Sequence, residues 1–328
     1  MTSDAGLSFY RDRPVLVAGG LGFIGQHVTE RLHALGANVT VATRSVAGHR
    51  DAAQKIAIEG VRIVEADVRD AAAMRAAVAG QDVVFNLAGQ SGAVGSMEDP
   101  WTDLDVNCRG NLVLLEALRT NNPLGKVVFV SSRLTFGAGG HNPVGEDRDP
   151  KPLSVHGVHK LAAEQYLRVY ERTYGLRFSI ARLTNPYGPG QPPGRTAYGV
   201  VNRLIHLALE GKTLPIYGDG AQKRDYIYID DAVAALLTLG EATASDGHLY
   251  NVGSGVGTPF VEMARAIVRI VGSGVIEFVP WPKLAALVET GDFVASIDRI
   301  QRELGWAPGV SIDEGLKRTV AAYRAHVA

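Results

Sequence analysis

The segment that most constrains this chain lies near its start. In PVLVAGGLGFIGQHVTERLHALG (14–36), a β-branched apolar run ends in glycines and passes directly into a helical pattern. Ile24, Val28, Leu32 and Leu35 recur at helical spacing, and Gly36 stops the pattern before NVTVAT (38–43), which reads as a second strand. Strand, glycine turn, helix and strand make a right-handed βαβ unit, the seed of a parallel sheet. Within it Gly19, Gly22 and Gly25 are evenly spaced. The first allows a tight turn, the second lets backbone N–H groups approach a phosphate, and the third lets helix and strand pack closely. Such a triplet alone describes many turns. Placed after a strand and at the opening of a helix, it predicts a dinucleotide pyrophosphate site.

The alternation continues along the chain. VRIVEAD (61–67), DVVFNLAG (82–89), KVVFVSS (126–132) and LRFSIARLT (176–184) read as strands. Between them AAAMRAAVAG (71–80), a long stretch from Pro100 to Thr120, and HKLAAEQYLRVYERTYG (159–175) read as helices. This order predicts an α/β fold with a doubly wound parallel sheet. After Asn185 the texture changes to NPYGPGQPPGRTAYG (185–199), which reads as a long functional loop because regular structure resumes after it. The expected architecture is a modified Rossmann domain over 1–182, with 224–240 returning to it, and a smaller α/β substrate-binding region over 183–328.

Composition excludes several alternatives. A formal net charge of −1 provides no field to recruit nucleic acid or an anionic membrane, so an anionic ligand must be held by local groups. One cysteine, Cys108, rules out an internal disulfide framework and a cysteine-cluster metal site. His141, His159 and His206 fall in no metal-ligand spacing. The first residues show no apolar leader, and no run approaches a membrane span, so the expectation is a soluble, cytoplasmic protein.

Two positions bear on the dinucleotide. Asp67, after the third strand, is placed to accept a bond from the adenine amino group, although an aspartate there also serves as an ordinary cap. At the end of the second strand, where a carboxylate would bind the ribose 2′-hydroxyl, the chain has Thr43 and Arg44. A guanidinium in that place suits a 2′-phosphate and favours NADP over NAD.

A set of ordered motifs extends the reading: GGLGFIG (19–25), Asp67, NLAG (86–89), DVN (105–107), VSSRLTFG (130–137), LTNPYGPGQ (183–191), IYGDGAQKRDYIYIDD (216–231), YNVGSG (250–255) and LGW (304–306). Together they resemble the extended short-chain dehydrogenases/reductases, and within them the nucleotide-sugar epimerase/dehydratase group. The resemblance covers nearly the whole chain. It implies that Gly19, Gly22, Phe23, Ile24, Gly25, Arg44, Asp67, Val68, Leu87, Ala88 and Lys160 surround a bound NAD(P). It also implies that Gln90, Ser96, Ser132, Asn185 and Arg224 meet a nucleotide-activated sugar. Ser132 takes the family's catalytic Ser/Thr position and Lys160 the lysine of its YxxxK motif, where the positive charge lowers the pKa of the tyrosine. Outside this frame each residue has a plainer role: a strand cap, a helix lysine, a turn residue, an ion-pair partner.

The chain departs from the family pattern at three places. VHGVHK (155–160) puts His156 where the proton-transfer tyrosine stands, and a histidine can serve as general base near neutral pH. Glu289 in ETGD stands where an RPGD-like string places a diphosphate-binding arginine, leaving Arg195 or Arg203 as substitutes. Arg133 and Leu134 follow Ser132 where sugar 4,6-dehydratases carry an Asp–Glu pair. The expected activity is therefore epimerisation through a transient keto-sugar, with Ser132, His156 and Lys160 as the catalytic set and no metal. Its rivals are a reductase or dehydratase, and a binding protein impaired by loss of the tyrosine. Tyr166, Tyr170 and Tyr174 stripe one helix, which implies either a homodimer contact or core packing.

Overall fold

The computed structural model describes residues 9–49, 53, 60–90, 92–138, 140–191 and 199–327. In chain order the strands are β1 (Pro14–Ala18), β2 (Asn38–Thr43), β3 (Arg62–Glu65), β4 (Val83–Asn86), β5 (Lys126–Ser132), β6 (Arg177–Leu183), β7 (Asn185–Tyr187), β8 (Thr213–Tyr217), β9 (Lys223–Tyr228), β10 (His248–Val252), β11 (Gly257–Pro259) and β12 (Val275–Val279). Seven of them form one sheet in the order β10-β6-β5-β4-β1-β2-β3, and every neighbouring pair in it is parallel. A parallel sheet needs both faces covered, which is why its strands read as unbroken apolar runs. In β1, Val15 and Val17 face one core while Leu16 faces the other; in β4, Val83 and Phe85 oppose Val84 in the same way. The fold is α/β and Rossmann-like, as expected.

The strand order reverses between β1 and β4, so the carboxyl ends of these two strands border the crevice where such sheets take ligands. Gly19 closes the turn at φ +81°, with its N–H on the Ala42 carbonyl at 2.8 Å. Next to it, Leu87 N–H reaches the Ala18 carbonyl at 3.0 Å. The glycine turn and NLAG thus lie side by side.

Three details differ from the sequence expectation. The helix expected from residue 159 begins earlier, at Val155, because Ser154 caps it by accepting the Gly157 N–H at 3.3 Å; it runs to Tyr174. His156 and Lys160 therefore share one helical face. The long helix is Pro100–Leu104 and Gly110–Asn121, joined by a π turn over Asp105–Arg109, a distortion that marks functional positions. The return of 224–240 to the large sheet is corrected in part. β9 pairs with β7 and β11 in a separate three-stranded sheet, while the apolar β10 occupies the edge beside β6. Only the helix Ile229–Glu241 packs back, with Tyr10 Oη donating to the Leu237 carbonyl at 2.6 Å.

Candidate active site

The glycines divide by what a side chain would meet. A Cβ at Gly19 would come within 2.9 Å of the Ala88 nitrogen, and one at Gly25 would run into the Gly19 carbonyl. These two are required by the fold itself. At Gly22 a Cβ would make one tight contact, 3.2 Å to the Gly19 oxygen, and meet no other described atom within 4 Å, so the space is open on its other sides. Gly22 is also the N-cap of the helix Phe23–Ala34, with no side-chain cap and no acidic residue in the first turn. The unsatisfied N–H groups and the helix dipole suit an anion there. Phe23 and Ile24 are half-buried beside that opening, as are Leu87 and Ala88. The residues present fit a dinucleotide pyrophosphate.

Past the ends of β2 and β3, Arg44 is exposed and Asp67 is half-buried. Arg69 grips the Asp67 carboxylate through Nε at 2.9 Å and Nη2 at 2.7 Å, and this pairing holds the carboxyl below its usual pKa. Val68 packs near Gly110, where a Cβ would stand 2.8 Å from Val68 Cγ2.

Lys160 is buried, with Nζ donating to the Val130 carbonyl at 3.0 Å, and burial pushes its pKa down to about 8. A Cβ at Gly89 would meet Asn107 Oδ1 at 2.9 Å and Lys160 Nζ at 3.3 Å, so these two polar groups converge on one glycine. Asn107, on the π turn, donates to the Gln90 carbonyl at 3.0 Å, and its own Oδ1 is buried without a partner.

His156 is buried against an acid that the sequence reading did not single out. Asp103, wholly buried, holds His156 Nδ1 at 3.3 Å with one oxygen and His159 Nδ1 at 2.7 Å with the other. Burial works to raise the Asp103 carboxyl, but hydrogen bonds from both imidazoles and Asn107 outweigh it and keep the pKa low. Burial lowers the His156 pKa, the Asp103 bond opposes that, and the Lys160 charge adds to the lowering. The neutral tautomer that satisfies Asp103 carries its proton on Nδ1 and leaves Nε2 basic. The signal in the sequence was the spacing of Asp103 and Asn107, four apart on one helical stretch.

Ser132 is half-buried at the end of β5; its Oγ accepts the Leu134 N–H at 3.2 Å, leaving the hydroxyl proton free to donate. Ser96, expected to line a sugar pocket, is wholly buried, accepts the His156 N–H at 3.0 Å and donates to the Ala93 carbonyl at 2.8 Å. It fixes the start of the His156 helix. Gln90 is half-buried, with its carbonyl engaged by Asn107.

A second group of residues gathers around β7 and β9. Asn185 Nδ2 donates to the Asp225 carbonyl at 2.7 Å, and its Oδ1 accepts from Arg133 at 3.3 Å. Arg224 is buried and its guanidinium pairs with Glu289, with a further bond to the Gly291 carbonyl at 2.5 Å. Glu289 therefore neutralises Arg224 instead of adding a second cation. Arg203 is exposed, and Arg195 lies outside the described residues. The start of the long loop docks on the glycine helix, with Gln26 Nε2 donating to the Gly190 carbonyl at 2.8 Å.

Comparison with known proteins agrees with this geometry. The profile of the NAD dependent epimerase/dehydratase family matches residues 15–253. UDP-glucose 4-epimerase of Mycolicibacterium smegmatis is 35% identical over 313 residues, covering 94% of this chain and 98% of that protein. Among solved structures, UDP-glucose 4-epimerase of Thermotoga maritima, crystallised with UDP-glucose, superposes with a TM-score of 0.88 at 31% identity, covering 96% of this chain and 100% of the other. The Thermus thermophilus UDP-glucose 4-epimerase, in complex with NAD, gives a TM-score of 0.85 at 33% identity, covering 95% and 99%. With a glycine turn shaped for a pyrophosphate, a buried lysine beside it and relatives matched end to end, the chain belongs to the NAD dependent epimerase/dehydratase family.

Proposed function

We propose that this protein is an NAD(P)-dependent nucleotide-sugar epimerase of the 4-epimerase type, with His156 in the proton-transfer role. The observation that carries the reading is His156 itself: four residues before Lys160, held through Nδ1 by a buried carboxylate, with its pKa lowered. A neutral imidazole so oriented can take a sugar hydroxyl proton on Nε2 and return it after inversion. Ser132 Oγ–H donates to the same sugar oxygen, and Lys160 and Asn107 hold the ribose side of the dinucleotide. A bound nicotinamide, held by Lys160 and Asn107, would supply a reversible hydride acceptor for the sugar carbon. Arg224 and Asn185 meet the nucleotide diphosphate and sugar, for which Arg224 must exchange Glu289 for phosphate.

The finer assignments follow from the same residues. Arg44 at the end of β2 favours NADP. The larger sheet forms the dinucleotide-binding part, and most of 183–328 the sugar-binding part. Tyr166 and Tyr170 pack against the protein's own core, whereas Tyr174, at the end of the same stripe, is exposed at 51% and is the part of it left for a homodimer contact. Among the described residues no helix is long and apolar enough to cross a membrane.

The test is an NMR screen of uridine and thymidine diphosphate sugars with added NAD or NADP. Inversion at one carbon without net cofactor change is expected. Loss of water, or stoichiometric cofactor turnover, would replace the reading with a dehydratase or reductase. Cofactor binding with no reaction on any sugar would make the chain a binding protein.

A further inference from the structure

Arg133 follows Ser132 directly, on the short turn Arg133–Thr135 that ends β5. Its side chain is enclosed by protein yet keeps some accessible surface. Nε donates to Asn185 Oδ1 at 3.3 Å and Nη1 to Thr290 Oγ1 at 2.9 Å, and the guanidinium stands 5.4 Å from the Phe293 ring centre. Both acceptors are neutral. Among the described residues no carboxylate forms an ion pair with it, and Nη2 has no protein acceptor.

The neighbouring charges do not fill that gap. Arg224 is of like sign, and its guanidinium is already paired with Glu289. The Asp225 carboxylate is committed elsewhere, to the N–H groups of Ser254 at 2.7 Å, Gly255 at 3.1 Å and Ala295 at 3.1 Å. Burial and the Arg224 charge push the Arg133 guanidinium down to about 10, against the partial support of the nearby Glu289 and Asp225 carboxylates. A buried cation with no carboxylate in direct contact is costly, and such groups concentrate where a ligand supplies that contact.

We propose that Arg133 binds a carboxylate on the sugar ring, so that the substrate is a nucleotide-linked uronic acid. The proposal rests on the reading of this site as a nucleotide-sugar site. Guanidinium and carboxylate match as planar forks, and Nη2 together with the second Nη1 N–H can supply the two-donor edge. The diphosphate is the other source of negative charge. Arg133 is the nearer fit to the sugar, because it is adjacent in sequence to Ser132, the donor to the reacting hydroxyl, while Arg224 supplies the diphosphate contact from β9.

Calorimetry on the NAD-saturated protein separates these sources, using UDP, UDP-glucose and UDP-glucuronate and their thymidine counterparts. The wild type is expected to bind the glucuronate form about tenfold or more tighter than the glucose form. Arg133→Met should abolish that preference, the glucuronate form losing about tenfold more affinity than UDP or UDP-glucose, and Arg133→Lys should restore part of it. A wild type without the preference, or one that binds none of the six, overturns the proposal. So does a Met variant that weakens UDP as much as the glucuronate form, which would put Arg133 on the diphosphate. A Met variant that weakens every ligand and lowers the melting temperature would make Arg133 a structural staple of the Thr290 segment. Binding preference does not require turnover. A protein that prefers glucuronate but epimerises nothing sinks only the proposed activity, and one that epimerises without the preference sinks only this inference.

Discussion

The glycine turn and the Arg133–Arg224 cluster are shaped by different physical means. At the turn, shape is set by backbone: Gly19 and Gly25 are squeezed by neighbouring main chain, and Gly22 touches only the Gly19 carbonyl, at 3.2 Å from a Cβ. In the cluster, shape is set by side chains that can exchange partners, with Arg224 on Glu289 and Arg133 on two neutral oxygens. A rigid main-chain cradle suits the part of a ligand that never varies. Movable charges suit the part that distinguishes one substrate from another, because small changes in pairing alter which anion is accepted.

The comparison can be broken most sharply at the glycines. Gly25→Val should fail to give a native protein, since its side chain would collide with the Gly19 carbonyl. Gly22→Val should still fold, with some loss in melting temperature from its contact with the Gly19 carbonyl, yet lose roughly a hundredfold or more in dinucleotide affinity as N–H contacts to phosphate are blocked. Calorimetry beside a melting curve checks both. If Gly22→Val binds cofactor normally, the cradle is misassigned.

His156 comes next in size. His156→Ala should cost about a hundredfold or more in turnover with cofactor affinity kept. The folded-state pKa is lowered, so the neutral base forms at lower pH than for free imidazole. The oxidation step should rise as pH climbs through that lowered value and be flat by neutrality. A limb above the free imidazole value, or an Ala variant with near-normal turnover, would remove His156 from the mechanism.

Arg44→Ala should weaken NADP by roughly tenfold to a hundredfold and leave NAD unchanged, as loss of one charge-assisted pair to the 2′-phosphate predicts. Equal affinities in the two proteins would leave Arg44 a surface residue.

The smallest effect tests the movable cluster. Glu289→Gln frees Arg224, and UDP should bind a few-fold tighter because no carboxylate competes with phosphate for the guanidinium. Unchanged UDP affinity would mean that Arg224 does not meet the diphosphate.

The sequence by itself determined the βαβ start, the parallel sheet, the positions of the three glycines and the spacing of His156 and Lys160. Each is encoded within a few residues, by apolar periodicity or by a steric demand for glycine, and needs no distant partner to be read. The same local logic placed β5 at Lys126–Ser132 to the residue. Other features were decided only by the tertiary structure. β9 was drawn into a second sheet because the apolar β10 took the edge beside β6. Ser96 was buried under the His156 helix, and Asp103 met His156 across 53 residues of chain. Arg224 and Glu289 are 65 residues apart, and Arg133 and Thr290 are 157 apart. Charges and hydroxyls have no periodicity that names their partners. Which pairs form is set by how the packed layers bring separate loops together, and burial then decides which of those groups titrate or remain in need of a ligand.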